Sequence, residues 1–394
     1  MGQKLTRSLP AVALLVATWI AARGPAAGAQ SRLDGWPVSP PRMQGVDSAA
    51  WLALDAEVRA GKLGYVDGIT VIRNGVMVFD RDYRNDYARI YKDSVKDRGP
   101  FDYYAPEWHP YYKGTALHTL QSVTKSVTSA LVGIAVQRAE IMGVDRPALE
   151  LLLRWGDTVA NLDDRKRSMT LKHVLTMTAG LDWDETSVPY EDPRNIGTRM
   201  ELSPDWVNFT ISRPMSEQPG TRFNYSSGVS QLLSRVLYSA TGKNAEVYAQ
   251  EFLFGPLGIK EYFWKRAPGG LNDTEGGLYL SRHDLARVGQ LYLNGGTWEG
   301  RRIVPEAWIR ESVTPAVRVR GKVRYGYQWW LLSADTTAAE KPIAWYGSGY
   351  GGQTLLVLPA EGMVVVATSW NIAGNRGIGV TRLRDVARAS VGAR

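Results

Sequence analysis

Ser122 stands three residues before Lys125 in Gln121-Ser122-Val123-Thr124-Lys125-Ser126, the one S-x-x-K in the chain. Val123, Val127, Ala130, Leu131 and Ile134 repeat at helical spacing behind it. That spacing predicts a helix from Val123 to Ala135 with Lys125 on the same face as Ser122. A serine hydroxyl is a poor nucleophile until a neighbouring base takes its proton. Lysine supplies that base when desolvation or a nearby cation brings its pKa down from about 10.4. A helix N-terminus adds backbone N–H groups that can stabilise an oxyanion. Serine is also a common helix N-cap, so the pair alone does not define a site.

Two further segments supply chemistry of the same kind. Asn224-Tyr225-Ser226-Ser227-Gly228 precedes an apolar helix from Val229 to Leu237, and a tyrosine at such a junction can act as general acid or base. Tyr346-Gly347-Ser348-Gly349-Tyr350-Gly351-Gly352-Gln353 leads into a C-terminal strand, and its glycines allow close backbone approach to a substrate oxygen. Other candidates read as structural. His173 is expected to be a packed helix histidine, and Trp183, Trp329, Trp330 and Trp345 are expected mainly in the core. Asp182, Asp184 and Glu185 read as a solvated acidic loop, with a substrate ammonium as their other possible partner. Asp163-Asp164-Arg165-Lys166-Arg167 reads as a solvated loop too. No G-x-S-x-G nucleophile elbow is present.

The elements that must position these residues alternate between strand and helix. Ile69–Arg73 and Val76–Asp80 flank Asn74-Gly75, a strong hairpin signal, and Thr354–Leu358 and Met363–Ala367 flank Pro359–Gly362 as a second hairpin. Val317–Lys322 alternates as a strand with one solvated face, and residues 378–391 alternate apolar and basic at helical spacing. Strands at both ends imply that the two termini share one antiparallel sheet. The expected organisation is sheet from about 65–120 and 301–394, with a helical subdomain inserted at about 122–300 and a cleft between them. Residues 30–64 lead into the fold.

Composition narrows the function classes. The 394 residues include no cysteine, which excludes disulfides, thiolate metal sites and a cysteine nucleophile. Four histidines without an H-E-x-x-H argue against a zinc site. The net charge of +8 falls to +5 without residues 1–29, because Lys4, Arg7 and Arg23 go with them, and the remainder is scattered rather than striped. Nucleic acid is therefore not an expected partner. Lys4 and Arg7, an apolar run from Leu9 to Ala22, and Ala27-Gly28-Ala29 form the pattern of a cleaved signal peptide. The run is too short to span a bilayer, so no stable membrane anchor is expected. A periplasmic or secreted chain starting at about Gln30 follows as an expectation.

Taken together, S-x-x-K, a Y-x-S about 100 residues on, and a Gly-rich G-S-G before the last strands resemble the class C β-lactamase-like serine hydrolases. Leu171–Leu181 (LKHVLTMTAGL), Pro256-Leu-Gly258 and Ser281–Gly296 resemble further segments of that family, so the likeness runs over roughly residues 65–390. Ser122–Ser126 with Gly349–Gln353 most resembles its 6-aminohexanoate-dimer hydrolase branch. The resemblance implies a β-lactamase/transpeptidase-like α/β fold: an antiparallel sheet flanked by terminal helices, with an inserted helical subdomain. It implies Ser122 as acylated nucleophile, Lys125 as its base partner and Tyr225 as proton shuttle. The oxyanion hole would be the backbone N–H groups of Ser122 and Tyr350, and Ser227, Gly347, Ser348 and Gly349 would contact substrate. Two-step acyl transfer of this kind uses no metal or cofactor. Two departures bear on substrate. Gly347 stands where the family's lactamases carry a cation, and Ser227 stands where they carry a carboxamide. A carboxylate-bearing β-lactam would lose a charge-assisted bond worth about 1.5–3 kcal/mol. Esters or short linear amides are therefore expected, ahead of a DD-carboxypeptidase or weak β-lactamase, and ahead of a non-catalytic penicillin-recognising protein.

Overall fold

Asn74 and Gly75 both take positive φ, 50° and 76°, as a tight two-residue hairpin turn requires. They join β1 (Val66–Arg73) to β2 (Val76–Asp82). Toward the other end lie β3 (Val317–Arg320), β4 (Val323–Tyr325), β5 (Trp330–Leu332), β6 (Ala344–Gly349), β7 (Gln353–Leu358) and β8 (Met363–Ser369). The structure is a computed structural model that describes residues 32–94, 104, 110–153, 158–336, 341–372 and 377–392. The sequence segment read as a signal peptide lies outside the described residues.

These eight strands form one antiparallel sheet in the order β3-β4-β5-β6-β7-β8-β1-β2. The pairing of β8 with β1, from Met363 opposite Arg73 to Ala367 opposite Ile69, joins the two ends of the chain. β7 and β8 are buried on both faces, which is why they read as continuous apolar runs. Alternate residues serve different layers. Leu356, Leu358, Met363, Val365 and Ala367 pack with α1 (Ala49–Arg59) and α7 (Val380–Ala389) through Trp51, Leu54, Leu383 and Ala387. Leu355, Val357, Val364 and Val366 join the opposite core. That core holds α2 (Thr124–Gln137), α3 (Leu171–Leu175), α5 (Ser227–Thr241) and α6 (Arg282–Leu293), while α4 (Ile196–Glu201) packs in a separate cluster around Trp183. At Gly289 a side chain would lie 2.6 Å from Val364 Cγ1, so the glycine sets how closely α6 seats on the sheet.

The helical region also contains a small sheet of His118–Thr119, Phe263–Trp264 and Leu278–Leu280, which the sequence pattern does not announce. It brings the segment before Ser122 against the loop that precedes α6. His118 is fixed from the other side, its Nε2 3.0 Å from Asp67 Oδ2 on β1, an oxygen to which Tyr87 also donates. The expected loop at 163–167 is instead a short helix, Asp164–Arg167, capped by Asp163. Lys166 there is fully buried and donates to the carbonyls of Ala160 and Arg213. Among the described residues no helix is long and apolar enough to cross a membrane.

The first described residues are clasped onto α6. Trp36 donates to the His283 carbonyl, and His283 Nδ1 lies 2.6 Å from Asp34 Oδ2 while its Nε2 lies 3.1 Å from Asp80 Oδ1. Burial disfavours the charged ring, but Asp80 and Asp34 outweigh it and hold His283 above the usual histidine range. A raised folded-state pKa gives stability that is complete below the unfolded value of about 6.5 and lost as pH rises through the folded one. His283→Gln is therefore expected to be less stable than wild type in urea unfolding, with a deficit largest near pH 6 and narrowing toward pH 9. A deficit independent of pH would refute a charged clasp.

Candidate active site

Ser122 lies in the 3-10 turn Gln121–Val123, one step ahead of the expected helix, and α2 begins at Thr124. Gln121 has φ 47°, a left-handed conformation that costs a non-glycine residue on the order of 1–3 kcal/mol. The bend delivers Ser122, half-buried, to the end of α2 while Val123 and Val127 enter the core.

Lys125, one turn along, is 2% exposed. Its Nζ lies 2.9 Å from Ser122 Oγ, 3.3 Å from Ser227 Oγ, 2.7 Å from the Glu275 carbonyl oxygen and 3.1 Å from Glu275 Oε2. The Tyr225 ring lies against the same amine, its centre 5.3 Å from Lys125 Nζ. Trp330 stacks on that ring at 5.7 Å, with 21° between planes, and closes one side of the site. The three residues singled out by their motifs thus meet around one amine.

The charge balance differs from the expectation of a depressed lysine. Burial does penalise the ammonium, but Tyr225, Glu275 and Glu185 outweigh it and raise Lys125 above its ordinary range. The acceptors around Nζ, two of them on Glu275, are those an ammonium requires. Burial also raises Tyr225, with Lys125 acting in the opposite direction.

Glu185 is the second correction. It is 2% exposed rather than solvated, and it receives Trp183 Nε1 at 2.6 Å, Tyr190 OH at 3.0 Å, the Ser227 backbone N–H at 2.7 Å and Ser227 Oγ at 2.9 Å. Four donors on one carboxylate are what make a buried charge tolerable, though burial still raises its pKa. Asp182 and Asp184 remain at the surface, pairing with Arg213 and capping the Thr186 and Ser187 N–H groups. Ser227 turns inward: its hydroxyl donates to Glu185 and accepts from Lys125, so it organises the amine instead of facing substrate. Trp183 reaches Glu185 because residue 228 is glycine, where a side chain would fall 2.4 Å from the indole.

Glu275 is the residue that motif reasoning passed over. It lies in Asp273-Thr-Glu275-Gly-Gly277, a loop fixed by Thr274 N–H to Gln231 and by Glu275 and Gly276 N–H groups to Asp273. Burial, with Glu275 nearby, raises Asp273 to about 7. An acid flanking Gly-Gly is the signal the sequence offered, but only the fold brings it to Lys125.

The Gly-rich strand lies directly against the Ser122 turn. A Cβ on Gly349 would sit 2.4 Å from the Leu120 carbonyl, and one on Gly347 would sit 3.0 Å from Val123 Cγ1 and 3.3 Å from Ser126 Oγ. The missing cation at 347 thus corresponds to space already filled. Ser348, on the opposite face of β6, is exposed and pairs with Thr354. Tyr350 follows the strand, and its hydroxyl donates to Glu191 at 3.0 Å while its ring meets Tyr190 edge-on. Of the other tryptophans, Trp329 is fully buried and Trp345 is half-buried against the main core. His173, half-buried on α3, forms a capping box with Thr170.

Residues 63–387 match the β-lactamase family, and the chain belongs to it, as an enzyme of its serine hydrolase type. A 6-aminohexanoate-dimer hydrolase of Paenarthrobacter ureafaciens is 25% identical over 297 residues, covering 69% of this chain and 72% of that protein. EstCE1, a hydrolase with promiscuous acyltransferase activity, superposes with TM-score 0.65 at 15% identity, over 89% of this chain and 99% of its own. A D-stereospecific amidohydrolase from Streptomyces sp. gives 0.59 at 18% identity, over 87% and 98%. The structural likenesses establish the β-lactamase/transpeptidase-like fold.

Removing the Glu185 carboxylate would leave four donors facing a void and strip a counter-charge from Lys125. Glu185→Ala is expected to lose about 3 kcal/mol or more in urea unfolding. A variant within 1 kcal/mol of wild type would show that the carboxylate is not carrying the buried network.

Proposed function

We propose that this protein hydrolyses carboxylic esters or short linear amides, of the kind 6-aminohexanoate oligomers represent, through an acyl-enzyme on Ser122. The observation that carries the reading is the convergence on Lys125 Nζ of Ser122 Oγ, at 2.9 Å, and the Tyr225 ring, whose centre lies 5.3 Å away. In acylation the Ser122 proton leaves to the Lys125–Tyr225 pair as Oγ bonds the carbonyl carbon. The carbonyl oxygen becomes an oxyanion facing the backbone N–H groups assigned to Ser122 and Tyr350. The carbon–leaving-group bond then breaks, and Tyr225 donates the proton the leaving group needs. Water repeats the sequence in reverse to release the acid. Gly347, packed against Val123 and Ser126, supports esters and short amides over β-lactams, because it offers no cation to a substrate carboxylate.

Hydrolysis of p-nitrophenyl butyrate by residues 30–394 is expected for wild type and abolished in Ser122→Ala, which should keep its circular dichroism spectrum. Tyr225→Phe should retain a slower, measurable rate, roughly 100-fold or more below wild type. Equal turnover in wild type and Ser122→Ala would overturn the assignment.

We also propose export, on the basic start, apolar run and Ala27-Gly28-Ala29 of residues 1–29. N-terminal sequencing of the exported chain should then begin at about Gln30, and an intact Met1 there would contradict it.

A further inference from the structure

We propose that Glu275 is a positioning residue that takes a proton from Lys125, converting the resting ammonium into the amine that Ser122 requires. The inference rests on the acyl-enzyme reading above and names a group that its three motifs do not contain.

The hydrogen bonds around Lys125 have a direction. The Ser227 hydroxyl donates to Glu185 Oε1, so toward Lys125 it can only accept. The Glu275 carbonyl and carboxylate accept as well. Three N–H bonds of an ammonium thus serve Ser122, Ser227 and Glu275, and no lone pair is left for the Ser122 proton. One proton must leave first. Glu275 Oε2 touches Nζ directly at 3.1 Å, and the carboxylate side chain retains 11% exposure. Glu185 is reached only through the Ser227 hydroxyl, and its two oxygens already receive four donors that protonation would disrupt.

The transfers balance. A Lys125 N–H bond breaks as the Glu275 Oε2–H bond forms. The freed lone pair takes the Ser122 proton while Oγ bonds the substrate carbon. That proton passes by way of Tyr225 to the leaving group, and Glu275 returns its own to Lys125. The cycle ends with ammonium and carboxylate restored.

Several charged or titratable groups face this pair. They are Tyr225 before α5, Glu185 and Tyr190 from the loop after α3, Glu201 at the end of α4, and Asp273 and Lys265 from the segment that carries Glu275. Acids outnumber amines among them, a balance that favours the ammonium over the free amine.

The test compares wild type, Glu275→Gln and Glu275→Asp by kcat/KM for p-nitrophenyl butyrate from pH 6 to 10, with circular dichroism and fluorophosphonate labelling of Ser122 alongside. Glu275→Gln keeps an oxygen for Lys125 but accepts no proton. Its rate at pH 7 should fall roughly 100-fold or more. Loss of the negative charge also lowers the Lys125 pKa, so the deficit should shrink as pH rises and the amine forms without help. Glu275→Asp should lower the rate while keeping the wild-type pH dependence. A purely structural role predicts the same loss at every pH, and that result, or an Asp profile matching that of Gln, would overturn the proposal. If Glu275→Gln fails to fold, the profile of Glu275→Asp decides: a wild-type pH dependence supports the relay and an alkaline-shifted one refutes it. Wild type that is neither labelled nor active would overturn the acyl-enzyme reading and this proposal with it, whereas labelled wild type with parallel profiles overturns only the role of Glu275.

Discussion

A single buried ammonium organises this site. Lys125 has almost no contact with solvent, and a charge in that position is tolerated only where acceptors replace the water it has lost. One, Ser122, stands a turn before it, but the others come from far along the chain: Ser227 about 100 residues on and Glu275 about 150 residues on. Each must be held by something else in turn. Ser227 is fixed by Glu185, Glu185 by Trp183 and Tyr190, and Glu275 by a loop locked onto Gln231 and Asp273. The charge at 125 thus fixes the paths of two loops and the start of α5.

The sheet contributes a steric constraint that complements this electrostatic one. The strand 344–349 must lie flush against the nucleophile turn, and glycines at 347 and 349 make that approach possible. The turn itself is bent through the left-handed Gln121. Strain of this kind persists when neighbouring contacts fix the backbone on both sides. Here they are the His118–Asp67 link to the N-terminal hairpin and the Leu120 N–H to Leu278 carbonyl bond.

The balance of charge distinguishes this site from the cation-bearing pattern of the family's lactamases. Glu275 stands beside the amine and Glu185 one hydroxyl away, with Asp273 and Glu201 close behind and both of these carboxyls raised by burial and neighbouring acids. A carboxylate substrate entering this environment would meet no compensating cation at 347. A neutral acyl group pays no such penalty.

Much of this was legible in the residue order, because the relevant interactions are local. Asn-Gly between alternating apolar runs defines a hairpin through its own backbone preferences, and S-x-x-K puts two side chains together through the pitch of one turn. The central strands, the C-terminal helix and the grouping of Ser122, Lys125 and Tyr225 follow from such short-range rules and from the family likeness. What the tertiary structure decided is the electrical state of those groups. Whether Glu185 is solvated or buried, whether Ser227 faces substrate or lysine, and whether Lys166 sits in a loop or caps two carbonyls all depend on contacts tens to hundreds of residues away. Charge acts through space, and its strength depends on how much water the fold removes. The residue types at a site can be read along the chain, but their protonation is set by neighbours that only folding supplies.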